Sequence, residues 1–269
     1  MQYLRGWTAL RNDPDWISKV GWGSLLMLSG MCIPLLGGLA IRGWCGLMLR
    51  RAVSGQDSPL PRLEFDTDYL GKLLPIGFKG FLAQLLWSLP LIAVMMCGYC
   101  CMYAGIFGML GMGAAGAGAG GEAGAGIGLV LGGLLMVVAF AMMFLAIVAG
   151  NMVMQVAVMR AELTDDLNAA MRFGEVLQMT KLIAKELFLG MLVLQLLGFV
   201  LVFVTVCTLY LGLFPSIVVM QVVVTYMRAE FYRRYLEKGG QPLPIGPLAV
   251  EHGDSPTVGP GAHPTPAQF

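Results

Sequence analysis

The stretch LFLGMLVLQLLGFVLVFVTVCTLYLGLFPSIVVMQVVVTYM, residues 187–227, contains 41 consecutive residues without a charge. A helix crosses the hydrocarbon core of a bilayer with about 20 apolar residues, because each residue rises about 1.5 Å across about 30 Å. This stretch is therefore long enough for two membrane passes. Block 80–121 resumes after Glu122 and runs to residue 159, which gives room for two more. Block 20–41 has room for one.

The composition also indicates a membrane protein. Apolar residues make up 57% of the chain and charged residues 12%, whereas about 25% of the residues of an ordinary globular domain are charged. We therefore predict an all-α integral membrane protein with five or six membrane segments, arranged as hairpins with cytoplasmic amphipathic junctions. The lipid bilayer is the partner that this composition requires. The net charge of +1 does not suggest a nucleic-acid partner, and we predict none.

The polar segments divide the chain into three parts. Residues 1–19 form an N-terminal amphipathic segment, and residues 20–238 form the helical membrane domain with apolar blocks 20–49, 80–159 and 187–227. Residues 239–269 hold seven of the 14 prolines and both histidines. A segment of this composition buries too little apolar surface to fold, so we expect a disordered tail.

The distribution of basic residues predicts the orientation. If blocks 80–159 and 187–227 each cross twice, the polar segments that flank them share one face. That face holds 14 of the 17 Lys and Arg residues, in segments 42–79, 160–185 and 228–238. Loops on the cytoplasmic side carry an excess of Lys and Arg. We therefore assign this face, and with it the C-terminus, to the cytoplasm.

The first apolar block leaves two geometries open. One long tilted helix places the N-terminus outside and gives five crossings. A hairpin or re-entrant pair over residues 20–49, broken at Pro34 and the glycines after it, keeps all 17 basic residues on one face. Limbs of half length have to be buried in protein rather than face lipid. The three basic residues of segment 1–19 favour the second geometry, because a translocated end disfavours positive charge.

Three helix ends read alike, with an Arg where an apolar helix leaves the bilayer. These residues are Arg51, Arg160 and Arg228, and the last two stand in identical Met-Arg-Ala-Glu tetrapeptides at 159–162 and 227–230. A long Arg side chain can hold its charged end at the headgroup level, so we interpret the three as interface anchors. The shared tetrapeptide indicates either a structural repeat or a chance recurrence.

After Arg160, apolar residues recur at spacings of three and four, which predicts an amphipathic cytoplasmic helix. Thr164 or Asp165 can cap its start. The stripe consists of Leu163, Leu167, Ala170, Gly174 and Leu177. We expect the ionisable residues of the same segment to form a solvated face: Glu162, Asp165, Asp166, Arg172 and Glu175.

Two polar junctions carry related runs. The first reads Gly55-Gln56-Asp57-Ser58-Pro59-Leu60-Pro61, then Asp66-Thr67-Asp68-Tyr69, and the second reads Asp166-Leu167-Asn168-Ala169-Ala170-Met171-Arg172-Phe173-Gly174-Glu175-Val176. With the Arg at the hairpin exit, they resemble domain-of-unknown-function family 4013 over about residues 7–238. The chain departs from the family where a Trp would follow the Leu-Pro pair, since Phe65 is the nearest aromatic residue, and in the glycine tract 105–133. The resemblance implies a multi-pass bacterial or archaeal membrane protein without an assigned activity, and it provides no site residues. We expect the location to be the bacterial plasma (inner) membrane.

The glycine tract contains a possible helix-packing face. Gly124, Gly128 and Gly132 recur every four residues, and this spacing lets two helices approach closely. So many glycines also suit a flexible connection, because each costs a helix about 1 kcal/mol relative to Ala. We expect a loop near residues 113–123 and a packing face from Gly124 to Gly132, against a neighbouring helix or another subunit.

The cysteines cluster at Cys97, Cys100 and Cys101. A c-type haem site requires a His after the Cys pair, and Met102 stands there. Zinc usually takes four ligands, and no His lies in the membrane region. We interpret the three as buried small thiols; a disulfide on the outer face and a soft copper site with nearby Met residues remain the alternatives. We predict no cofactor and no metal.

Polar residues inside membrane helices mark the places where a transport path can form. The candidates are uncharged amides: Asn151, Gln155, Gln195 and Gln221. Hydrogen bonds between helices are the simpler interpretation, and a path for a small neutral solute is the alternative. No paired carboxylate, nucleophile elbow or phosphate loop occurs in the sequence, so we predict no enzyme and no catalytic residue.

These observations favour a structural or assembly protein. We expect it to form a homo-oligomer, or to join other membrane proteins, through glycine-rich helix faces. The alternative is a channel or carrier for a small neutral solute, built from repeated hairpins.

Overall fold

In the computed structural model, the described residues are 5–30, 33, 35–56, 60–64, 66–119, 121–208 and 212–248, with the side chains of 109–119 and 121–129 outside the description. These residues form helices joined by turns, without a strand. The helices are α1 (Arg5–Asn12), α2 (Trp16–Ser29), α3 (Leu36–Val53), α4 (Thr67–Ala119), α5 (Gly121–Thr164), α6 (Leu167–Met171), α7 (Phe173–Leu182), α8 (Ala184–Cys207) and α9 (Leu213–Glu237). The chain divides into two compact units, one comprising Met1–Leu82 with Val158–Phe269 and the other Ala83–Ala157.

Four helical stretches are long and apolar enough to cross a membrane: Thr67–Gly108, Val130–Thr164, Ala184–Cys207 and Leu213–Glu237. The chain is therefore an all-helical protein with the features of a membrane protein. Apolar block 20–49 does not form one long helix, because α2 ends at Ser29 and α3 begins at Leu36. The block therefore contains two shorter helices, and not the single long helix that one of the two geometries requires.

Helix α3 forms the centre of the first unit. It packs against α2 and α9, and nearly every residue from Ala40 to Ala52 is buried. A helix that is apolar on nearly all sides is buried in a protein core or in a membrane, and around α3 the neighbouring helices bury it. Its middle also lies directly against α4: a Cβ on Gly43 would lie 2.1 Å from the carbonyl oxygen of Leu73, and one on Gly77 would lie 1.9 Å from that of Leu39. The two backbones touch there, and only glycine permits the contact.

Helix α9 closes the other side of this core and packs against α1, α2, α3 and α8. Its buried side chains include Val222, Tyr226 and Phe231. The backbone of α1 reaches α9 at Gly6, where a Cβ would lie 2.9 Å from the Cα of Val223. Helix α1 is therefore part of the core, although its sequence is polar.

The second unit is an antiparallel pair formed by parts of α4 and α5. A Cβ on Gly98 would lie 3.3 Å from Sδ of Met143, and one on Gly105 would lie 3.2 Å from the carbonyl oxygen of Gly132. Gly150 faces Leu91 in the same way, at 2.9 Å. The contact positions of α4 (Leu91, Gly98 and Gly105) are seven residues apart. A seven-residue repeat keeps contacts on one side of a helix, so these residues form a continuous seam.

The junction after Arg160 differs from the predicted single helix. Helix α5 continues through Leu163 to Thr164, and Asp165 then takes a left-handed backbone with φ of 56°. This conformation ends a helix, so the segment continues as the short α6 and as α7. The cap of α6 is Asp166, whose side chain accepts a hydrogen bond from the backbone N–H of Asn168; the prediction of Thr164 or Asp165 as the cap was wrong.

The beginning of the predicted tail lies against the first unit. The N–H of Gly246 donates to the carbonyl of Leu163 at 2.8 Å, and the N–H of Leu243 donates to the hydroxyl of Tyr232 at 2.8 Å. Residues 239–248 therefore have defined partners, unlike the disordered segment that their composition predicted. Residues 249–269, including His252 and His263, lie outside the described residues, as do Cys32 and Pro34.

Candidate functional site

The carboxylate of Glu162 is buried between two arginines. Its Oε2 accepts a hydrogen bond from Nη1 of Arg228 at 2.8 Å, and its Oε1 accepts one from Nε of Arg42 at 3.3 Å. Glu162 is 1% exposed, so the prediction of a solvated side chain was wrong. A charge in such surroundings persists only when it is paired, because the cost of removing it from water is large.

Two glycines make room for this triad. A Cβ on Gly80 would lie 3.1 Å from Oε1 of Glu162 and 3.2 Å from Nε of Arg42. A Cβ on Gly46 would reach the methylene groups of Glu162 at 4.0 Å. The backbones of α3 and α4 therefore approach the carboxylate without a side chain in between. The charges of the triad come from Arg42 of α3, Glu162 of α5 and Arg228 of α9.

A second buried arginine continues the network. Arg50 is fully buried and its Nη2 donates to the carboxylate of Asp165 at 3.0 Å. It also donates through Nε to the carbonyl of Glu162 at 2.7 Å and through Nη1 to that of Pro247 at 3.2 Å. Lys79 binds both the backbone carbonyl and the carboxylate of Asp165 at 2.9 Å. We call Arg42, Arg50, Lys79, Glu162, Asp165 and Arg228 the ion network.

The ion network joins the two Met-Arg-Ala-Glu tetrapeptides. Glu162 belongs to the first and Arg228 to the second, and these two residues pair directly. The remaining charges of the tetrapeptides have other partners: Arg160 pairs with Glu175, and Glu230 lies 3.9 Å from Arg5. The two tetrapeptides are therefore in contact in the fold, and whether their recurrence is a structural repeat or chance stays open.

A separate buried ion pair fixes the loop before α4. Asp13 is 1% exposed and accepts hydrogen bonds from Nζ of Lys19 at 2.8 Å and from the N–H of Leu60 at 2.7 Å. Nζ of Lys19 also donates a hydrogen bond to the carbonyl oxygen of Leu60 at 2.9 Å. The indole of Trp44 donates to the carbonyl of Pro61 at 3.0 Å. The Leu-Pro pair is therefore held by an aromatic residue of α3; Phe65 itself lies outside the described residues.

A polar cavity of about 600 Å³ opens where α5 and α9 end. Its walls are the end of α5, helices α6 and α7, the last turn of α9 and residues 239–244. Four charged side chains line it: Arg160, Asp166, Arg172 and Glu175. The hydrogen bond from Arg160 lowers the pKa of Glu175 below its ordinary value, and Arg172 contributes in the same direction. We call this space the junction cavity.

The three predicted anchors differ in their surroundings. Arg160 and Arg228 are buried, with 3% and 8% of their surfaces exposed, and both pair with carboxylates. Arg51 is partly exposed and donates to the carbonyl of Leu248 at 3.3 Å. All three residues thus bind other parts of the chain.

The glycine face is placed only in part. Gly132 lies against Gly105 of α4, so its close contact is with a neighbouring helix of the same chain. Gly124 and Gly128 are helical, but their surroundings lie outside the described residues. The loop predicted near 113–123 is also absent from the described part of this tract, because α4 continues to Ala119 and α5 begins at Gly121.

The four amides differ in their surroundings. Asn151 donates to the carbonyl of Ile147 on its own helix at 2.8 Å, and Gln155 is half-buried. Gln195 and Gln221 are exposed on α8 and α9.

The cysteines differ from the prediction of buried thiols. Cys97, Cys100 and Cys101 are free and exposed on α4. Within the described residues, no group of three potential ligands could hold a metal ion.

The ion network is the site that sequence reasoning missed. Arg42 lies inside α3, one charge within a helix that is otherwise apolar up to Arg50, and such a residue signals a buried partner. That signal was present in the sequence. The partner was not visible there, because Glu162 is 120 residues away.

Chemically, the network carries four cations and two carboxylates. Such an arrangement fixes helices and attracts anions. It contains no free nucleophile beside a base, which covalent catalysis requires.

One comparison with known proteins supports the family resemblance that the junction motifs indicate. Neither a curated protein nor a solved structure matches the chain. The model of one family, described as Protein of unknown function (DUF4013), matches residues 26–210. This range contains α3, both limbs of the second unit and five of the six members of the ion network. Because the match covers more than half of the chain, the protein belongs to the DUF4013 family.

Proposed function

We propose that the protein is an integral membrane assembly component, which associates with further copies of itself or with other membrane proteins through the second unit. The observation that carries the proposal is the length of this unit. Residues 83–119 and 121–157 are continuous helix, so each limb is about 55 Å long at 1.5 Å per residue. Their only charge is Glu122, at the far end.

A limb of this length exceeds what a bilayer covers. The hydrocarbon core is about 30 Å thick, and a helix tilted by about 40°, the upper end of the usual range, would still span about 42 Å. The glycine- and alanine-rich end therefore extends beyond the hydrocarbon. Apolar surface in that position is stabilised when another protein covers it.

The outward surface of α5 suits such a contact. Large apolar residues are exposed along one side of it, at Val130, Leu134, Val137 and Phe140. The glycines of the seam are already used inside the unit, at Gly98, Gly105 and Gly150. We therefore place the intermolecular contact on the large residues near Val130. We assign Gly132 to the contact between α4 and α5 within one chain.

We further propose five or six membrane segments with both described ends in the cytoplasm. Four are the stretches long enough to span. The remaining two are α2 and α3, which are about 21 and 27 Å long and are shorter than the hydrocarbon core. Their packing against α9 supports a re-entrant pair. The resemblance of the polar junctions supports the bacterial plasma membrane as the location.

The alternative, a channel or carrier for a small neutral solute, has less support. A path would need polar groups that face a common space, and Gln195 and Gln221 are exposed on the outside of their helices.

Site-specific photo-crosslinking in native membranes tests the proposal. A benzophenone amino acid at Val130, which is 67% exposed, is expected to give a crosslinked protein species of higher mass. The matched control is Phe199 on α8, which is 65% exposed within the middle of a span and is expected to give none. Equal crosslinking at both positions, or none at Val130 together with a strictly monomeric mass in gentle detergent, would contradict assembly through the second unit.

A further inference from the structure

We propose that the junction cavity binds a phosphate ester that carries an ammonium group, the chemistry of a zwitterionic phospholipid headgroup. This inference does not depend on the assembly proposal, because the cavity lies entirely within the first unit.

The cavity has the size and the fixed walls of a ligand site. Its volume of about 600 Å³ falls in the range of about 300–1,000 Å³ that small-molecule sites occupy. One wall is the segment after α9, and this segment is held in place. The N–H of Gln241 donates to the hydroxyl of Tyr235 at 3.1 Å, and that of Gly240 donates to the carbonyl of Tyr235 at 2.9 Å.

Its charges are complementary to a ligand that carries both signs. Arg160 and Arg172 contribute two positive charges, and Asp166 and Glu175 contribute two negative charges. Both arginines share the carboxylate of Glu175. Within the described residues no cation pairs with Asp166, which accepts only from backbone N–H of Asn168 through its side chain. A phosphate near the arginines and an ammonium near Asp166 would leave no charge unpaired.

The two arginines have N–H groups that make no hydrogen bond within the described residues. Arg160 is 3% exposed and uses Nε on the carbonyl of Ala169 and Nη2 on Glu175; its Nη1 has no acceptor among the described residues. Arg172 lies at the other end of α6 from Asp166, and the five residues of α6 correspond to about 8 Å. Extended side chains at the two ends can therefore reach the two charged parts of one headgroup. Arginine is well suited to phosphate because its planar donors fit two oxygens.

The location favours a lipid as the source of this group. Arg160 and Thr164 lie in the last turns of one candidate span, and Tyr235 lies in the last turn of another. The end of a span coincides with the headgroup layer. Leu182 and Leu243 add apolar surface to the lining, which a lipid glycerol backbone can contact.

Native mass spectrometry of the full-length chain in detergent provides the test. The probes are phosphatidylethanolamine and phosphatidylglycerol with the same acyl chains, and soluble phosphoethanolamine. We expect phosphatidylethanolamine to be retained in preference to phosphatidylglycerol. Binding of phosphoethanolamine with equal affinity would keep the site and assign it to a soluble ligand. Equal retention of the two lipids without binding of phosphoethanolamine, or retention of none of the three, would overturn the proposal.

Two variants separate the charges. Asp166→Asn keeps a cap for α6 and is expected to weaken phosphatidylethanolamine binding about tenfold, the effect of losing one charge-assisted hydrogen bond, without weakening phosphatidylglycerol binding. Arg172→Gln, at a position 65% exposed in its side chain, is expected to weaken both. Arg62→Gln, an exposed residue outside the cavity, is the control and should change neither. A lipid preference unaffected by Asp166→Asn would show that the carboxylate of Asp166 does not bind the ammonium group.

Discussion

Glu162 illustrates how a single carboxylate can organise four helices. It lies on α5 and pairs with Arg42 of α3 and Arg228 of α9, while Gly80 of α4 stands beside it. Two positive charges share one negative charge in a position closed to water. The triad is therefore stable only as a set, since the loss of the carboxylate leaves two buried cations facing each other.

Replacement of Glu162 should destabilise the fold strongly. We expect Glu162→Gln to cost about 3–5 kcal/mol, the usual result of removing one partner of a buried ion pair. The matched control is Glu64→Gln, because Glu64 pairs with Arg62 at the exposed surface, and exposed pairs contribute about 0–1 kcal/mol. Equilibrium denaturation in mixed micelles measures both. Similar losses in the two variants would mean that the triad adds no more than a surface pair.

Glu175 gives the junction cavity a predictable response to acid. Arg160 and Arg172 lower its pKa in the folded protein, so it contributes stability above the pKa of the unfolded chain and loses that contribution as pH falls through the folded value. The Glu175→Gln variant has no such contribution to lose. Thermal midpoints of both proteins between pH 7 and pH 3 should therefore converge at the acidic end. A constant difference over this range would exclude Glu175 as the titrating group.

At the residue scale, the sequence gives the positions of the charged residues but not the identity of their partners. Glu162, Asp165 and Arg160 were visible at the end of an apolar block, where exposure to water is the ordinary expectation. Their ion pairs are formed with partners 66, 115 and 15 residues away. Helix spacing describes only neighbours within one turn or two, so no periodicity in the sequence could have identified these pairs.

At the scale of elements, the crossing of α3 and α4 determines where the ion network forms. Gly43 and Gly77 allow the backbones to touch, and Arg42 stands next to the first of them. Close packing was predicted for the long glycine tract, because glycines are frequent there. A Cβ on Gly43 or Gly77 would lie 2.1 or 1.9 Å from a carbonyl oxygen of the facing helix, whereas one on Gly105 of the tract would lie 3.2 Å from that of Gly132. Of these described contacts, the isolated pair in the first unit makes the tighter one.

Alanine at Gly77 should therefore damage the first unit. The added Cβ would lie 1.9 Å from the carbonyl oxygen of Leu39, and the helices would have to separate, at a cost of about 3 kcal/mol or more. Gly71→Ala is the matched control on the same helix, because nothing lies within 4 Å of its Cβ. There, alanine should stabilise the helix by up to about 1 kcal/mol. Thermal unfolding should give shifts of opposite sign, and a neutral Gly77→Ala would show that the backbones are not in contact.

The elements themselves were largely predictable, since membrane spans depend on the length of apolar runs. Each of the four candidate spans overlaps one of the apolar blocks 80–159 and 187–227, and α2 and α3 overlap block 20–49. The break after α5 was not predictable, because it rests on the left-handed backbone of Asp165, a conformation that few residues except Gly, Asn and Asp adopt. Likewise, the apolar stripe from Leu163 to Leu177 is divided between three helices, although its spacing fits one.

For the whole molecule, the segment after α9 connects parts that are distant in the sequence. It contributes carbonyl groups of Pro247 and Leu248 to Arg50 and Arg51, and its Gly246 binds Leu163. Composition alone predicted disorder here. What composition does not describe is that backbone groups can satisfy buried arginines, whose five donors need several acceptors.

Two truncations separate the held part of this segment from the rest. A chain ending at residue 248 keeps all of these contacts and should match the full-length protein in stability. A chain ending at residue 239 loses one of the three acceptors of Arg50, the carbonyl of Pro247. It also loses the bond between Gly246 and Leu163 and that between Leu243 and Tyr232, and together these losses should cost about 2 kcal/mol or more. Thermal unfolding of the three proteins in one detergent measures the difference, and equal midpoints would exclude a structural role for residues 240–248.

The distribution of charge over the whole chain makes the last prediction. If α2 and α3 form a re-entrant pair and the four longer stretches each cross once, all 17 Lys and Arg residues lie on one side, and both ends of the protein are cytoplasmic. The end of the second unit, near Glu122, then lies on the opposite side. A protease site inserted after Glu122 should be cleaved from outside in intact cells, whereas sites fused to the N- and C-termini should be cleaved only after lysis. Cleavage of the N-terminal site in intact cells would mean that residues 16–53 cross the membrane an odd number of times, and that Arg5, Arg11 and Lys19 are outside, against the usual distribution of positive charge.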